Sequence, residues 1–199
     1  KAFAKQGLDV CFIRERGGQR AFNQPVWEDA HWTLGYEELS QTAQWSWEDW
    51  TKEEQRLGWK APAWLFDPLE NPGKFNGKIK SLLSPIDKVL FNYLANGQSH
   101  WRPALTLMNS CDILLVCGIE ETILALASGK PFIIWPHGGD IRTAASLHPP
   151  KTRRWSDWKI YLMVLRLLRL AYKKALWIST HAPDRVDSDV FDMPPGFRY

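Results

Sequence analysis

The sequence predicts an α/β fold built on a parallel β-sheet, and three observations predict it. Short, continuous apolar runs recur in the second half of the chain: "DILLVCG" at 112–118, "KPFIIWP" at 130–136 and "LWISTH" at 176–181. Each is too short for a core helix and lacks polar alternation, which is the pattern of strands inside a parallel sheet. Helical patterns separate them: "IEETILALASG" at 119–129 and "WSDWKIYLMVLRLLRLAYKKA" at 155–175. The resulting order, strand–helix–strand–helix–strand, supplies the crossovers that parallel neighbours need. Together these predict a doubly wound, Rossmann-like sheet with helices on both faces.

The elements follow in chain order. "KAFAKQG" and then "LDVCFI" read as the last turns of a helix, a glycine stop and a strand over 9–14. A tryptophan-rich, irregular or helical stretch covers 25–68. It opens a less regular insert spanning 25–100, and "ELSQTAQWSWEDWTKEEQR" within it is expected to be helical in part. "GKIKSLLSPIDKVLFNYLANG" reads as helix, with Pro85 either a break or the first turn of a second piece. "ALTLMNS" is a short helix before the first buried strand. Glu120 and Glu121 fall in the first turn of the helix after that strand, where they suit the dipole, and Gly129 stops it. Ser156 is the expected N-cap of the long helix. A further helix is expected to open at "APDRVDSDV".

Composition bounds the function. Hydrophobic residues make up 45% and charged residues 24% of 199, an ordinary globular balance sized for one domain over 1–199. A net charge of +3 is too small to argue for nucleic acid. Cys11, Cys111 and Cys117 form no CxxC pair and no metal spacing; Cys11 and Cys117 sit in apolar runs and read as reduced core residues of a cytoplasmic protein. No apolar run reaches the roughly 18 residues of a membrane-spanning helix. The opening in mid-helix and the unstructured look of "FDMPPGFRY" suggest a domain truncated at both ends; a complete domain with a short first helix is the alternative.

In open α/β sheets, ligands bind outside the carboxyl ends of the strands. Three such ends carry polar groups here: Cys117-Gly118-Ile119-Glu120, His137-Gly138-Gly139-Asp140 and Ser179-Thr180-His181. Glycines at a strand tip admit a ligand to the backbone and leave N–H groups for its oxygens. His137 can exchange a proton near neutral pH, and Asp140 can orient a hydroxyl or the imidazole ring. The candidate catalytic residue is therefore His137, and the candidate substrate-binding residues are Gly118, Glu120, Gly138, Gly139, Asp140 and Arg142. The plainer alternative is a histidine and an aspartate that cap a tight turn.

"CDILLVCGIEETILALASGKPFIIWPHGGDIRTAA" with the later "ALWISTHAPDRV" resembles the amino-terminal domain of family 4 retaining glycosyltransferases, which have the GT-B architecture of two Rossmann-like domains facing a cleft. "PFIIWPHGGD" fits that family's strand ending in a sugar-site histidine, and "ALWISTHAPD" fits the next strand. The resemblance covers about 103–190, with "KAFAKQGLDVCFIRE" fitting an earlier helix and strand, whereas 25–100 matches no motif of the family. It implies an acceptor-side domain, with a first strand and glycine-rich loop before Lys1 and a donor-binding domain after Tyr199. It also implies a nucleotide-sugar co-substrate, a glycan or lipid-linked acceptor, and no metal cofactor. "DSD" at 187–189 lies in a helix-opening loop and reads as turn and capping chemistry rather than a metal motif.

Two rival classes remain in view. One is a non-catalytic sugar-binding or scaffold domain on the same fold. The other is an α/β-hydrolase fragment, since "HGG" after a strand resembles an oxyanion loop, although no G-x-S-x-G elbow occurs. A dinucleotide-binding dehydrogenase is disfavoured, because no G-x-G-x-x-G follows a strand.

On the long helix, Lys159, Arg166, Arg169, Lys173 and Lys174 share an arc of about 140°. Ile160, Val164, Leu165, Leu167, Leu168 and Ala171 lie opposite, and Leu162, Met163 and Leu170 fall within or beside the basic arc. The plain reading is a sheet-packing helix with a solvated basic face. The alternative is an anionic membrane surface contacted by Arg166, Arg169 and Lys173, placing the protein peripherally at the inner face of the membrane. Twelve tryptophans, seven of them between Trp27 and Trp64, pack an irregular insert or stack on acceptor sugars.

Overall fold

A computed structural model describes residues 6–13, 47–56, 65–66, 83–98, 100–136 and 150–179. The chain divides into two compact units, Lys1–Pro72 and Gly73–Tyr199.

In Lys1–Pro72, β1 (Phe12–Ile13) and β2 (Leu65–Phe66) pair in parallel, Phe12 opposite Leu65 and Ile13 opposite Phe66. Helix α1 (Trp47–Arg56) lies between them in sequence, with Glu48 and Asp49 in its first turn and Arg56 in its last, each charge complementing the helix dipole. Gly7 adopts a positive φ of 75° in the turn before β1, where the glycine stop is expected. The strand is shorter than the 9–14 run, and Cys11 is exposed rather than in a core. The apolar run gives no view of its partner, and only two residues of it find one.

The second unit begins, among the described residues, with α2 (Pro85–Ala95). Pro85 starts this helix rather than breaking one, because its missing N–H falls where no intrahelical partner exists. Ser84 caps it reciprocally: Asp87 N donates to Ser84 Oγ at 3.2 Å, and Ser84 N donates to Asp87 Oδ2 at 3.3 Å. Then follow α3 (Trp101–Ser110), β3 (Leu114–Val116), α4 (Ile119–Ser128), β4 (Phe132–Ile134), α5 (Trp155–Lys174) and β5 (Trp177–Ile178). Gly129 closes α4 in the left-handed conformation, φ 68°.

Strands β3, β4 and β5 form a parallel sheet in that order. Leu114, Val116, Phe132, Ile134 and Ile178 point to one face and are buried. Helix α4 packs on β3 and β4, and α3 and α5 pack on α4. Every residue of α4 from Thr122 to Ser128 is buried, as are Leu167, Leu168 and Ala171 of α5. The polar members of α4 satisfy themselves locally: Thr122 Oγ1 donates to Gly118 O at 2.6 Å and Ser128 Oγ to Ala125 O at 2.7 Å.

Four expectations are corrected. The run at 112–118 is not buried on both faces, because Leu115 is 54% exposed. Its register partners Ile133 and Trp177 share that second face. The helices do not, among the described residues, cover both faces. Strand order follows chain order, so right-handed crossovers put α4 and α5 on the same side. Ser156 is not the N-cap of α5; the helix begins at Trp155 after Arg154, which makes no side-chain cap. Thr152 organises the entry instead, its hydroxyl donating to Asp157 and its carbonyl accepting from Trp158 Nε1 at 2.9 Å. On α5, Ile160 is exposed and Met163 buried, the reverse of the simple arc.

Candidate strand-tip site

Because β3, β4 and β5 are parallel, their carboxyl ends share one edge of the sheet. Gly118 follows β3 there at φ 98° and ψ 170°, a region that side-chain-bearing residues avoid. A Cβ at this position would meet Glu121 Oε2 at 2.5 Å. The backbone conformation thus favours glycine at the tip, which feeds directly into the N-terminus of α4.

Glu120 sits in the first turn of α4 and is held by two groups from the start of α3. Trp101 Nε1 donates to Glu120 Oε2 at 3.1 Å, and His100 Nε2 lies 3.1 Å from the same oxygen. Trp101 is buried and packs its ring on Phe91, centroids 5.3 Å apart. The clamp therefore has a rigid member in Trp101 and a partly exposed one in His100. Both contacts fall on Oε2, which leaves Oε1 of a half-exposed carboxylate for a ligand hydroxyl.

Gly118 and Glu120 both lie at this tip, and the structure brings His100 and Trp101, which carry no motif, to Glu120. Their approach follows from the packing of α3 on α4, which brings the start of α3 to the first turn of α4. At the other tips, Trp135 N donates to Val116 O at 2.8 Å and Ser179 N to Ile134 O at 2.9 Å, so the sheet's hydrogen bonding extends to that edge. His137, Gly138, Gly139, Asp140 and Arg142 lie outside the described residues, as do Thr180 and His181.

A second polar constellation joins α2 to α5. Arg166 Nε donates to Asp87 Oδ1 at 2.8 Å, and Ser84 Oγ donates to Asp87 Oδ2 at 2.6 Å. Burial pushes the Asp87 carboxyl up, but the Ser84 hydroxyl and the Arg166 guanidinium outweigh it and hold the group below its ordinary value of 3.8. Lys159 Nζ lies 4.7 Å over the Tyr93 ring. An open groove of about 410 Å³ beside α5 is lined by Leu162, Leu165 and Leu170, by Arg166, Arg169 and Lys173, and by Asp87. No described helix is long and apolar enough to cross a membrane.

No protein-family model matches the chain, and no curated protein or solved structure resembles it significantly. What the fold defines is an α/β chain with a small three-stranded parallel sheet.

Proposed function

We propose that this chain is the acceptor-side, Rossmann-like half of a GT-B glycosyltransferase, acting with a nucleotide-sugar co-substrate on a glycan or lipid-linked acceptor. The observation that carries the reading is the strand-tip edge, where Gly118 turns at positive φ and the Glu120 carboxylate is clamped by His100 and Trp101. That is where an open parallel sheet receives ligands, and the resemblance of the "PFIIWPHGGD" and "ALWISTHAPD" segments to the family supports the same chemistry.

In this mechanism an acceptor hydroxyl attacks the anomeric carbon with retention. The bond to the nucleotide's leaving phosphate breaks as the new glycosidic bond forms, and the hydroxyl proton leaves on the departing phosphate. His137 binds the transferred sugar or shuttles a proton. The amides of Gly138 and Gly139 lie against the substrate. Asp140 or Glu120 accepts its hydroxyl hydrogen bonds, and Arg142 is a further substrate-binding candidate. No metal is required.

The test is transfer of label from a panel of nucleotide-sugars to a lipid and glycan extract by the natural full-length protein. Transfer that is lost in His137→Ala supports the reading. Glu120→Gln removes one charged hydrogen bond and should raise the acceptor KM about tenfold. No transfer from any donor, by folded protein that still binds sugar, would replace the enzyme with a binding module.

A further inference from the structure

We infer that the joint face of α2 and α5 is a docking surface for an anionic lipid bilayer. This surface is separate from the strand tips, and it stands whether or not the chain transfers sugar.

The first half of the surface is a stripe that the sequence reading passed over. On α2, Ile86 is 64%, Val89 67% and Tyr93 52% exposed. Their spacing of three and four residues stacks them on one side of the helix, opposite the side that buries Asp87 and Phe91. The second half is the outer ridge of α5. Trp155, Lys159, Leu162, Arg166, Arg169 and Lys173 follow one another at intervals of four and three residues and so share one face. Trp155 is 74% and Leu162 48% exposed.

Two contacts tie α2 to α5. Lys159 Nζ sits over the Tyr93 ring and joins the ridge to the stripe, and Arg166 bonds Asp87 on the buried side of α2. Exposed aliphatic side chains thus adjoin a row of cations, with an indole at one end and a phenol in the middle. Asp87, which pairs with Arg166 of this row, is buried. The groove it lines also carries leucine, arginine and lysine side chains.

This chemistry fits a bilayer interface. Aliphatic and aromatic groups enter the headgroup–acyl boundary, and lysine and arginine heads stay level with the phosphates. A row of same-sign charge beside an apolar stripe is poorly suited to a second copy of itself, because the two cationic ridges would repel. It is well suited to a phosphate plane, where each basic residue adds a favourable term.

The test uses the intact chain with phosphatidylcholine vesicles, with and without phosphatidylglycerol, read by cosedimentation. The expected result is binding to the anionic vesicles that weakens with salt. Lys159→Gln with Lys173→Gln should weaken it about 25-fold, about fivefold for each charge. Val89→Ser with Tyr93→Ser should weaken it about tenfold or more. All four positions are exposed, and thermal unfolding confirms that each variant is folded. No binding by the unaltered chain, or binding indifferent to both pairs of substitutions, overturns the proposal. Self-association in the absence of vesicles, abolished by the Val89 and Tyr93 changes, also overturns it by giving the face to a second copy.

Discussion

Replacing Asp87 by alanine should destabilise the chain by about 2–3 kcal/mol. Three interactions are lost at once. The carboxylate half of the cap, which accepts from Ser84 N at 3.3 Å, contributes about 0.5 kcal/mol, while the 3.2 Å bond from the backbone N–H of residue 87 to Ser84 Oγ survives in alanine. The charge-assisted bond to Arg166 at 2.8 Å contributes about 1.5 kcal/mol, taken at the low end because Arg166 is half exposed and can rehydrate. The Ser84 hydroxyl bond at 2.6 Å adds a fraction more. For a unit of this size the loss lowers Tm by roughly 10 °C, read by circular dichroism at 222 nm and by urea unfolding. A double-mutant cycle with Arg166→Ala isolates the ion pair and should return a coupling of about 1 kcal/mol. The effect is also pH-dependent. The folded carboxyl titrates below its ordinary 3.8, so its contribution is complete above that value and is lost as pH falls through the lowered folded value. The gap between the natural chain and Asp87→Asn should therefore narrow below about pH 4. A Tm unchanged by Asp87→Ala, or a coupling of zero, would refute the assignment of this pair as the staple between α2 and α5.

Two further outcomes follow from the same geometry. Gly118→Ala should cost about 1–3 kcal/mol in urea unfolding, because φ of 98° is strained for alanine and its Cβ would meet Glu121 Oε2. Leu167→Ala should cost about 2–5 kcal/mol by the same measurement, since Leu167 is fully buried in α5 and its removal leaves a cavity.

The parallel sheet and its crossover helices were legible because local physics and tertiary packing agree there. Continuous apolar runs became β3, β4 and β5, and Gly129 ended α4 in the left-handed turn that glycine favours. Where partners are distant in sequence, the reading fell short. The pairing of β1 with β2 joins residues more than fifty positions apart, and nothing in either dipeptide announces the other. Continuous hydrophobicity overstated burial at Leu115, because an apolar side chain on an uncovered face looks the same in sequence as one in a core. At the candidate site, the position of Gly118 and Glu120 at the end of β3 and the start of α4 was readable from the strand–helix pattern. The clamp by His100 and Trp101 was not sought, since it depends on which end of α3 returns to that edge. The exposed stripe on α2 escaped for a related reason: its helix also buries Phe91 and Asp87, so its apolar residues look like one core-facing set until burial separates them.

The complete burial of α4 has a consequence for how its sequence can change. A helix on a protein surface tolerates substitution with a rhythm of three to four residues, as outward positions alternate with inward ones. From Thr122 to Ser128 that rhythm is absent, because sheet, α3 and α5 enclose the helix from several directions. Ala125 and Ala127 have no accessible surface at all, so even one added methyl group there presses on a neighbour. A saturation scan of the chain would register this stretch as an unbroken block of intolerance, flanked by helices whose tolerance rises and falls with each turn.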